Sequence, residues 1–560
     1  MKKVVIVGGV AGGMSAATRL RRLDATAEII VLEKSGHVSY ANCGLPYYVG
    51  GIIEDENALL LQTPKSLYDR FRLDVRVHNE VLEINREAKS VTVLDKASKE
   101  VYVLSYDKLV LSTGATPIIP PIEGVERAFT LRTIEDVEAI VNRVEKAPNS
   151  AVVIGGGFIG LEIAENFAHR GIKTTIVEAS PQVLAPLDPE MASLLAEELR
   201  RNGVDLLLAA SASSITDNLV VLADGREIPA ELVILAIGVR PDISLAKNAG
   251  LAIGSKGGVV VNDFNVTNDS DVYAIGDLAE KTDELDGSAT LVPLANIANR
   301  HGRIVADHIS GKRIRSVKTI GTAIVKVFNV TVATTGWNEK RLKASHVKFL
   351  TIHSHPNSHA GYYPDAQQMT LKLIFSPTTG EIFGAQAVGR DGVDKRIDVI
   401  ATAIRGEITA PELADLELAY APPFGSAKDP VNMLGYMAEN LLSGVVRTAQ
   451  WNEINEYVDK GYQVIDVRTE REFSEGSIPG ATNIPVDEIR DRISEITGRK
   501  LLVSCQVGQR GHTATMLLNS LGYDSINLDG GYLLWSKSPA ATQDNQKQQP
   551  LNERKVKTNV

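Results

Sequence analysis

The 560-residue sequence predicts an α/β protein: two parallel-sheet nucleotide-binding units, an α+β segment after them, and a smaller α/β domain toward the C-terminus. Three observations carry this prediction. A short β-branched run, a glycine-rich turn and a helical pattern occur in that order twice, at 4–23 and at 151–170, and each time a second strand follows that ends on a glutamate. Between 322 and 404, short apolar strands come first and helical spacing after. Beyond 450, two more short strands occur, Val464–Val467 and Leu501–Ser504, the second running straight into a glycine-containing loop that opens on Cys505 and then a helix.

Composition bounds the function. A chain of this length exceeds one core, so three or four domains are expected. The apolar share of 44% and charged share of 23% are those of a globular protein. A net charge of −10 argues against a nucleic-acid partner. The only cysteines are Cys43 and Cys505, too far apart for a local Cys-x-x-Cys pair and too few for a cysteine-rich metal site, so no metal is expected. They suit a reducing compartment in which thiols are used chemically. The opening apolar run is too short for a signal peptide and leads directly into glycines, and no stretch reaches membrane-span length. A cytoplasmic protein is expected.

The first strand, Val4–Val7, precedes Gly8-Gly9-Val10-Ala11-Gly12-Gly13; a helix over Met14–Leu23 and a strand over Glu28–Leu32 follow, ending at Glu33. A carboxylate twenty positions after Gly13 is where a Rossmann-like fold binds a ribose hydroxyl pair, although Val10 replaces the middle glycine. The second copy is complete. Strand Ala151–Ile154 leads to Gly155-Gly156-Gly157-Phe158-Ile159-Gly160, then to a helix over Leu161–Arg170, strand Thr174–Val177 and Glu178. Glu178 would repel a 2′-phosphate, and no arginine occurs in Ala179–Gln182, so NADH is favoured over NADPH.

Two dinucleotide sites in one chain suggest a flavoprotein that takes hydride from NADH. Leu109–Ala115, Ala236–Asp242 and Asp271–Asp277 resemble the exit strand, the return strand and the second FAD motif of the pyridine nucleotide-disulfide oxidoreductases. The resemblance implies a split FAD domain (1–116 and 240–320) served by Gly8, Gly13, Glu33, Gly114 and Asp277. It implies an inserted NADH domain (117–239) served by Gly155, Gly157, Gly160 and Glu178. Residues 321–440, with strands at Thr322–Val327, Thr331–Thr335 and Gln368–Phe375 and a helix at Asp394–Ile404, are similar to the family's dimerisation domain, which implies a homodimer. Tyr362, Tyr363 and Tyr420 lie in this segment, where core or turn packing is the ordinary reading.

A linker is expected at 441–450. Residues 451–538 resemble the rhodanese domain: Asp466-Val-Arg468, then Phe473–Pro485, then Cys505-Gln-Val-Gly-Gln-Arg510 ahead of a helix. Such a loop converges backbone N–H groups on a sulfur, and Arg510 is expected to favour its anion. Ser477 replaces the histidine usual before the Ile-Pro-Gly stretch. Residues 539–560, rich in Gln, Asn, Lys and Pro, are expected to be a disordered tail.

The stretch Ser39–Gly51, with Cys43 at its centre, closely resembles the single-cysteine motif of coenzyme A-disulfide reductases. The match extends to their fusions with rhodanese, of the NADH-dependent persulfide reductase type. It implies FAD, NADH and coenzyme A as cofactors and substrates. Cys43 would attack the S–S bond of a persulfide, polysulfide or coenzyme A disulfide. Tyr420, with Tyr362 or Tyr363, would assist the leaving sulfur, and Cys505 would carry sulfane sulfur. Arg19 and Arg22, one turn apart on the first helix, would hold coenzyme A phosphates, with Phe71 and Arg72 in place of the family's basic residue. Two alternatives remain. An NADH oxidase or peroxidase is disfavoured because Ala11 stands where those relatives carry histidine. A sulfurtransferase with a redox-sensing flavin half is disfavoured by the intact NADH fingerprint.

Overall fold

The first β-branched run becomes the strand Lys3–Val7, the middle of a parallel sheet and buried along nearly its whole length, as an unbroken apolar strand requires. In the computed structural model, which describes residues 2–541, the sheet runs in space as Val272–Ala274, Lys108–Leu111, Lys3–Val7, Glu28–Leu32 and Asp74–Arg76. Its outermost strand on one side therefore arrives only after residue 270: Val272 pairs with Leu109 and Ala274 with Leu111. The helix Ala11–Leu23 packs along Ala295–Ile309, closely enough that a Cβ on Gly302 would lie 2.3 Å from the Gly12 carbonyl oxygen.

A second parallel sheet runs as Asp205–Leu208, Lys173–Glu178, Ser150–Ile154 and Leu232–Leu235. The chain leaves the first fold and returns to it through Ala115–Pro117 and Val239–Pro241, which pair antiparallel. The second lies within the return segment read from the sequence, whereas the first starts at Ala115, the last residue of the exit segment.

The chain divides into two compact units. Among the described residues, 2–181 and 203–320 form the first; 182–202 and 321–541 form the second. The helix Pro189–Arg201 thus packs with the second unit, although it lies in the 117–239 segment in sequence.

The second unit has an antiparallel sheet in the order Ala323–Val327, Val330–Gly336, Ile382–Gly389, Met369–Phe375, Leu350–Ser354. The helices Val393–Arg405 and Pro430–Leu442 follow it. A parallel sheet then runs as Thr448–Ala449, Asp524–Leu528, Lys500–Ser504, Gln463–Asp466, Thr482–Asn483. The expected linker is partly absorbed by its neighbours: its first two residues end a helix, and Ala449 pairs with Leu528. Of the segment 539–560 expected to be a tail, residues 539–541 are helical and Ala541 is buried in a core with Trp535; the rest lies outside the described residues.

Candidate active site

The two glycine turns are built alike. Gly8 and Gly155 take φ of +102° and +110°, and a Cβ at either would strike a carbonyl oxygen, of Ser112 at 2.2 Å or of Ala236 at 2.4 Å. Each glutamate closes back on its own turn. The Gly9 N–H donates to Glu33 Oε2 at 2.8 Å, and the Ser35 N–H to Glu33 Oε1 at 2.9 Å. The Gly156 N–H donates to Glu178 Oε2 at 2.7 Å, and the Ser180 N–H to Glu178 Oε1 at 2.8 Å. Around Gly157 nothing lies within 4 Å of where a Cβ would stand, and Gly13 and Gly160 bring each helix against its first glycine, as the fingerprint predicts. Gly114 is left-handed, beside Arg132, whose guanidinium donates to the Thr113 carbonyl.

Asp277 opens the single turn Gly276–Leu278. Burial pushes its carboxyl pKa up, against the pull of Lys281, and among the described residues it accepts no side-chain hydrogen bond. Lys281 Nζ donates to the Gly276 carbonyl at 2.7 Å, and burial brings its pKa down to about 8. A desolvated, unsatisfied carboxylate beside the first glycine fold fits a hydroxyl-rich ligand chain such as the ribityl of FAD. The residues present fit FAD in the first fold and a dinucleotide in the second.

Cys43 lies on the single turn Asn42–Gly44, exposed, just before the short helix Leu45–Val49. The stretch is tied to the first glycine turn, because the Ser39 N–H donates to the Gly9 carbonyl at 2.8 Å while Ser39 adopts a φ of 49°. It is tied equally to the helix Phe158–His169: a Cβ on Gly50 would overlap the Asn166 side chain, and Arg170 donates to the Val49 carbonyl at 3.2 Å. That packing brings Glu162 in. The Tyr47 hydroxyl donates to Glu162 Oε1 at 3.4 Å. Burial lifts the Glu162 carboxyl to about 7, and burial followed by the Glu162 charge pushes the Cys43 thiol up. Neither Tyr47 nor Glu162 was singled out from the sequence; the available signal was a carboxylate two residues past Gly160, followed one turn on by Glu165 and Asn166.

The first helix does not present both arginines freely. Arg19 donates through Nε at 3.0 Å and Nη2 at 2.7 Å to one oxygen of buried Asp307. Arg22 is exposed, 5.1 Å over the Phe71 ring, and Arg72 lies 4.9 Å over Tyr68. Phe71 thus supports a guanidinium at the position where the sequence comparison left a gap.

In the second unit the Tyr362 and Tyr420 hydroxyls share a hydrogen bond of 3.1 Å, both rings open to solvent. Tyr363 instead meets His359 edge-on. Cys505 follows the strand Lys500–Ser504 and is fully buried; the Gly508 N–H points at its sulfur at 3.1 Å, with Gly508 at φ +92°. The Asp529-Gly-Gly531 turn braces this loop, since the Tyr532 N–H donates to the Cys505 carbonyl at 2.7 Å and the Leu533 N–H to that of Gln506 at 2.9 Å. Arg510 holds Glu472 in a two-pronged pair of 2.8 and 2.6 Å, so it does not face the sulfur as an isolated charge. Arg510 lowers the Glu472 carboxyl to about 2.

The same Asp529 enters a buried ionic cluster. It accepts from His353 Nδ1 at 2.6 Å, and His353 Nε2 lies 3.2 Å from Glu190. Lys372 Nζ is ringed by Glu190, by Asp188 at 2.9 Å and by Glu339 at 2.7 Å. These three carboxylates converge as metal ligands would, and the lysine ammonium is their counter-ion. Burial opposes charge on His353, but the Asp529 carboxylate overrides it and lifts the pKa to about 9.

Comparison with known proteins accounts for this arrangement. The pyridine nucleotide-disulphide oxidoreductase description matches residues 2–302, and its dimerisation-domain description matches 322–430. The chain belongs to the pyridine nucleotide-disulphide oxidoreductase family. A rhodanese-like domain matches 451–538. This oxidoreductase is 36% identical over 445 residues to a coenzyme A disulfide reductase of Staphylococcus aureus, across 78% of this chain and all of that one. It is 48% identical to the reduced CoADR-RHD of Bacillus anthracis, with a TM-score of 0.94 across 96% of this chain and 98% of that one. It is 36% identical to a NAD-dependent persulfide reductase from A. fulgidus, with a TM-score of 0.91 across 95% of this chain and all of that one. Among the described residues no helix is long and apolar enough to cross a membrane.

Proposed function

We propose that the protein is an FAD-dependent NADH:persulfide and coenzyme A-disulfide reductase, acting as a cytoplasmic homodimer, with a sulfurtransferase domain at its C-terminal end. The observation that carries this reading is Cys43: an accessible thiol between two dinucleotide folds, with no second cysteine in its unit to form an internal disulfide. A disulfide partner supplied by the substrate suits that arrangement.

Flavin and nicotinamide supply two electrons as hydride when bound. The chain's own residues do the rest. Gly8, Gly13, Glu33, Gly114 and Asp277 suit FAD; Gly155, Gly157, Gly160 and Glu178 suit NADH. Cys43 Sγ attacks the thiol-bearing sulfur of a persulfide, forming a mixed disulfide and expelling hydrosulfide; with coenzyme A disulfide the leaving group is a thiolate. Because the Cys43 thiol is held up in pKa, it needs a proton acceptor. The Tyr47–Glu162 pair, with Glu162 near 7, supplies one and returns the proton to the departing sulfur. Arg22, backed by Phe71, is available to a coenzyme A phosphate, and Arg19 positions the helix through Asp307. The Tyr362–Tyr420 pair, rather than Tyr363, is suited to donate to a leaving sulfur, from the partner subunit. Cys505 holds sulfane sulfur under the Gly508 N–H.

The deciding experiment is NADH oxidation with coenzyme A persulfide, polysulfide and coenzyme A disulfide side by side, with sulfide assayed. Fast persulfide turnover with stoichiometric sulfide supports the proposal. Oxygen or peroxide consumption in the absence of any sulfur substrate would replace it with an oxidase.

A further inference from the structure

The Cys505 loop is short of positive charge. Between Cys505 and Arg510 its side chains are Gln506, Val507, Gly508 and Gln509, all uncharged. The two guanidinium groups beside it each arrive with a carboxylate. Arg510 is paired at both nitrogens with Glu472. Arg468 is paired with Asp466 at 2.7 Å, stacks 4.0 Å over the Tyr532 ring, and reaches the loop only through Nη1 to Gln506 Oε1 at 3.4 Å. The sulfur itself is fully buried and receives a backbone N–H.

A loop that directs the Gly508 N–H at the sulfur, with its neighbouring charges cancelled, can stabilise one negative charge on that sulfur. It offers no counter-charge to a second anionic group one bond away, which must be desolvated beside Glu472. Thiosulfate places a sulfonate at that distance. An organic persulfide keeps its remaining charges several bonds off, where they stay in water.

We infer that Glu472, by neutralising Arg510, makes the Cys505 loop discriminate against thiosulfate relative to the organic persulfides of the proposed function. The inference rests on the sulfurtransferase reading of the C-terminal domain. In the favoured step, Cys505 thiolate attacks the outer sulfur of RSSH. The Cys505 Sγ–S bond forms as the RS–S bond breaks, the thiolate RS⁻ leaves with the electron pair, and the proton stays on the transferred sulfur. No net oxidation occurs. The corresponding thiosulfate step would release sulfite.

The test is single-turnover loading of the full-length protein with glutathione persulfide or with thiosulfate, followed by the mass gain on the Cys505 peptide. The wild-type protein is expected to load at least about tenfold faster from the persulfide, the effect of one partly screened charge. Glu472→Gln keeps a residue that caps the Thr469 turn while freeing Arg510, and should raise the thiosulfate-to-persulfide ratio about tenfold, an increase that shrinks with added salt. Glu472→Asp should restore the wild-type ratio. Gln506→Arg, which adds a cation without touching the pair, should raise the ratio as well. Equal wild-type loading from both donors, or a ratio unmoved in Glu472→Gln and Gln506→Arg, overturns the inference. If neither donor loads Cys505, the sulfurtransferase reading itself fails.

Discussion

The two cysteines sit in opposite surroundings. Cys43 is exposed on a one-turn helix, held by the left-handed Ser39 and by packing on a neighbouring nucleotide fold, with a half-buried carboxylate and tyrosine beside it. Cys505 is fully buried, under a backbone N–H, and its nearby guanidinium groups are neutralised in pairs. An exposed thiol coupled to a group titrating near 7 is arranged to exchange bulky disulfides and move protons. A buried sulfur beside a backbone N–H is suited, in the proposed function, to hold one small anion.

The largest way to break this contrast is Cys43→Ser, which should lower NADH-dependent turnover of disulfides and persulfides by at least about a thousandfold while flavin stays bound. Substantial residual turnover by steady-state assay would show that Cys43 is not the nucleophile. Cys505→Ser should leave coenzyme A disulfide turnover intact and slow polysulfide use.

The second expected effect is on stability and concerns the Cys505 side alone. Lys372→Ala leaves three buried carboxylates without their ammonium, a loss of about 3–5 kcal/mol. All three tryptophans, Trp337, Trp451 and Trp535, lie in the second unit, so urea unfolding followed by tryptophan fluorescence reports on that unit. Flavin release, which reports on the first unit, should move less.

His353 gives a smaller, pH-dependent effect in the same signal. Its folded pKa of about 9 lies above the ordinary 6.5, so its contribution is complete below about pH 6.5 and is lost as pH rises through about 9. Its partner Glu190, whose pKa is lowered by Lys372 and His353 despite burial, stays ionised over that range, as does Lys372, whose pKa is raised by the surrounding carboxylates despite burial. The fluorescence midpoint should fall across that window in the wild-type protein and stay nearly flat in His353→Gln.

The finest effect separates the thiols by their proton chemistry. Removing the carboxylate charge with Glu162→Gln should move the pH profile of Cys43 alkylation by iodoacetamide to lower pH, by up to about one unit. A profile that does not move would remove Glu162 from the proton pathway.

Much of this was legible in the residues. Strands, turns and glutamates of both nucleotide folds could be placed because periodicity and the glycine fingerprint are local, and Glu28–Leu32 was bounded correctly to the residue. The strands Leu350–Ser354 and Ile382–Gly389 were passed over: the first is short, and the second contains glycines that a strand pattern does not favour. Arg19 read as a free phosphate ligand because nothing in the sequence ties it to Asp307, which lies 288 positions away. Tyr362 and Tyr363 could not be told apart, since only the turn that brings Tyr420 close selects one hydroxyl.

The sequence by itself determined the family, the order of its domains, and the two sulfur atoms on which the proposed chemistry rests. These are properties of local patterns, in which glycine spacing, strand period and residue type act over a few positions. Only the tertiary structure decided what each sulfur feels. Glu162 reaches the Cys43 segment, Glu472 cancels Arg510, and His353 clasps Asp529 through contacts between residues distant in the chain. Charge acts through space, over a few ångströms of low-dielectric protein, and linear order does not record that distance.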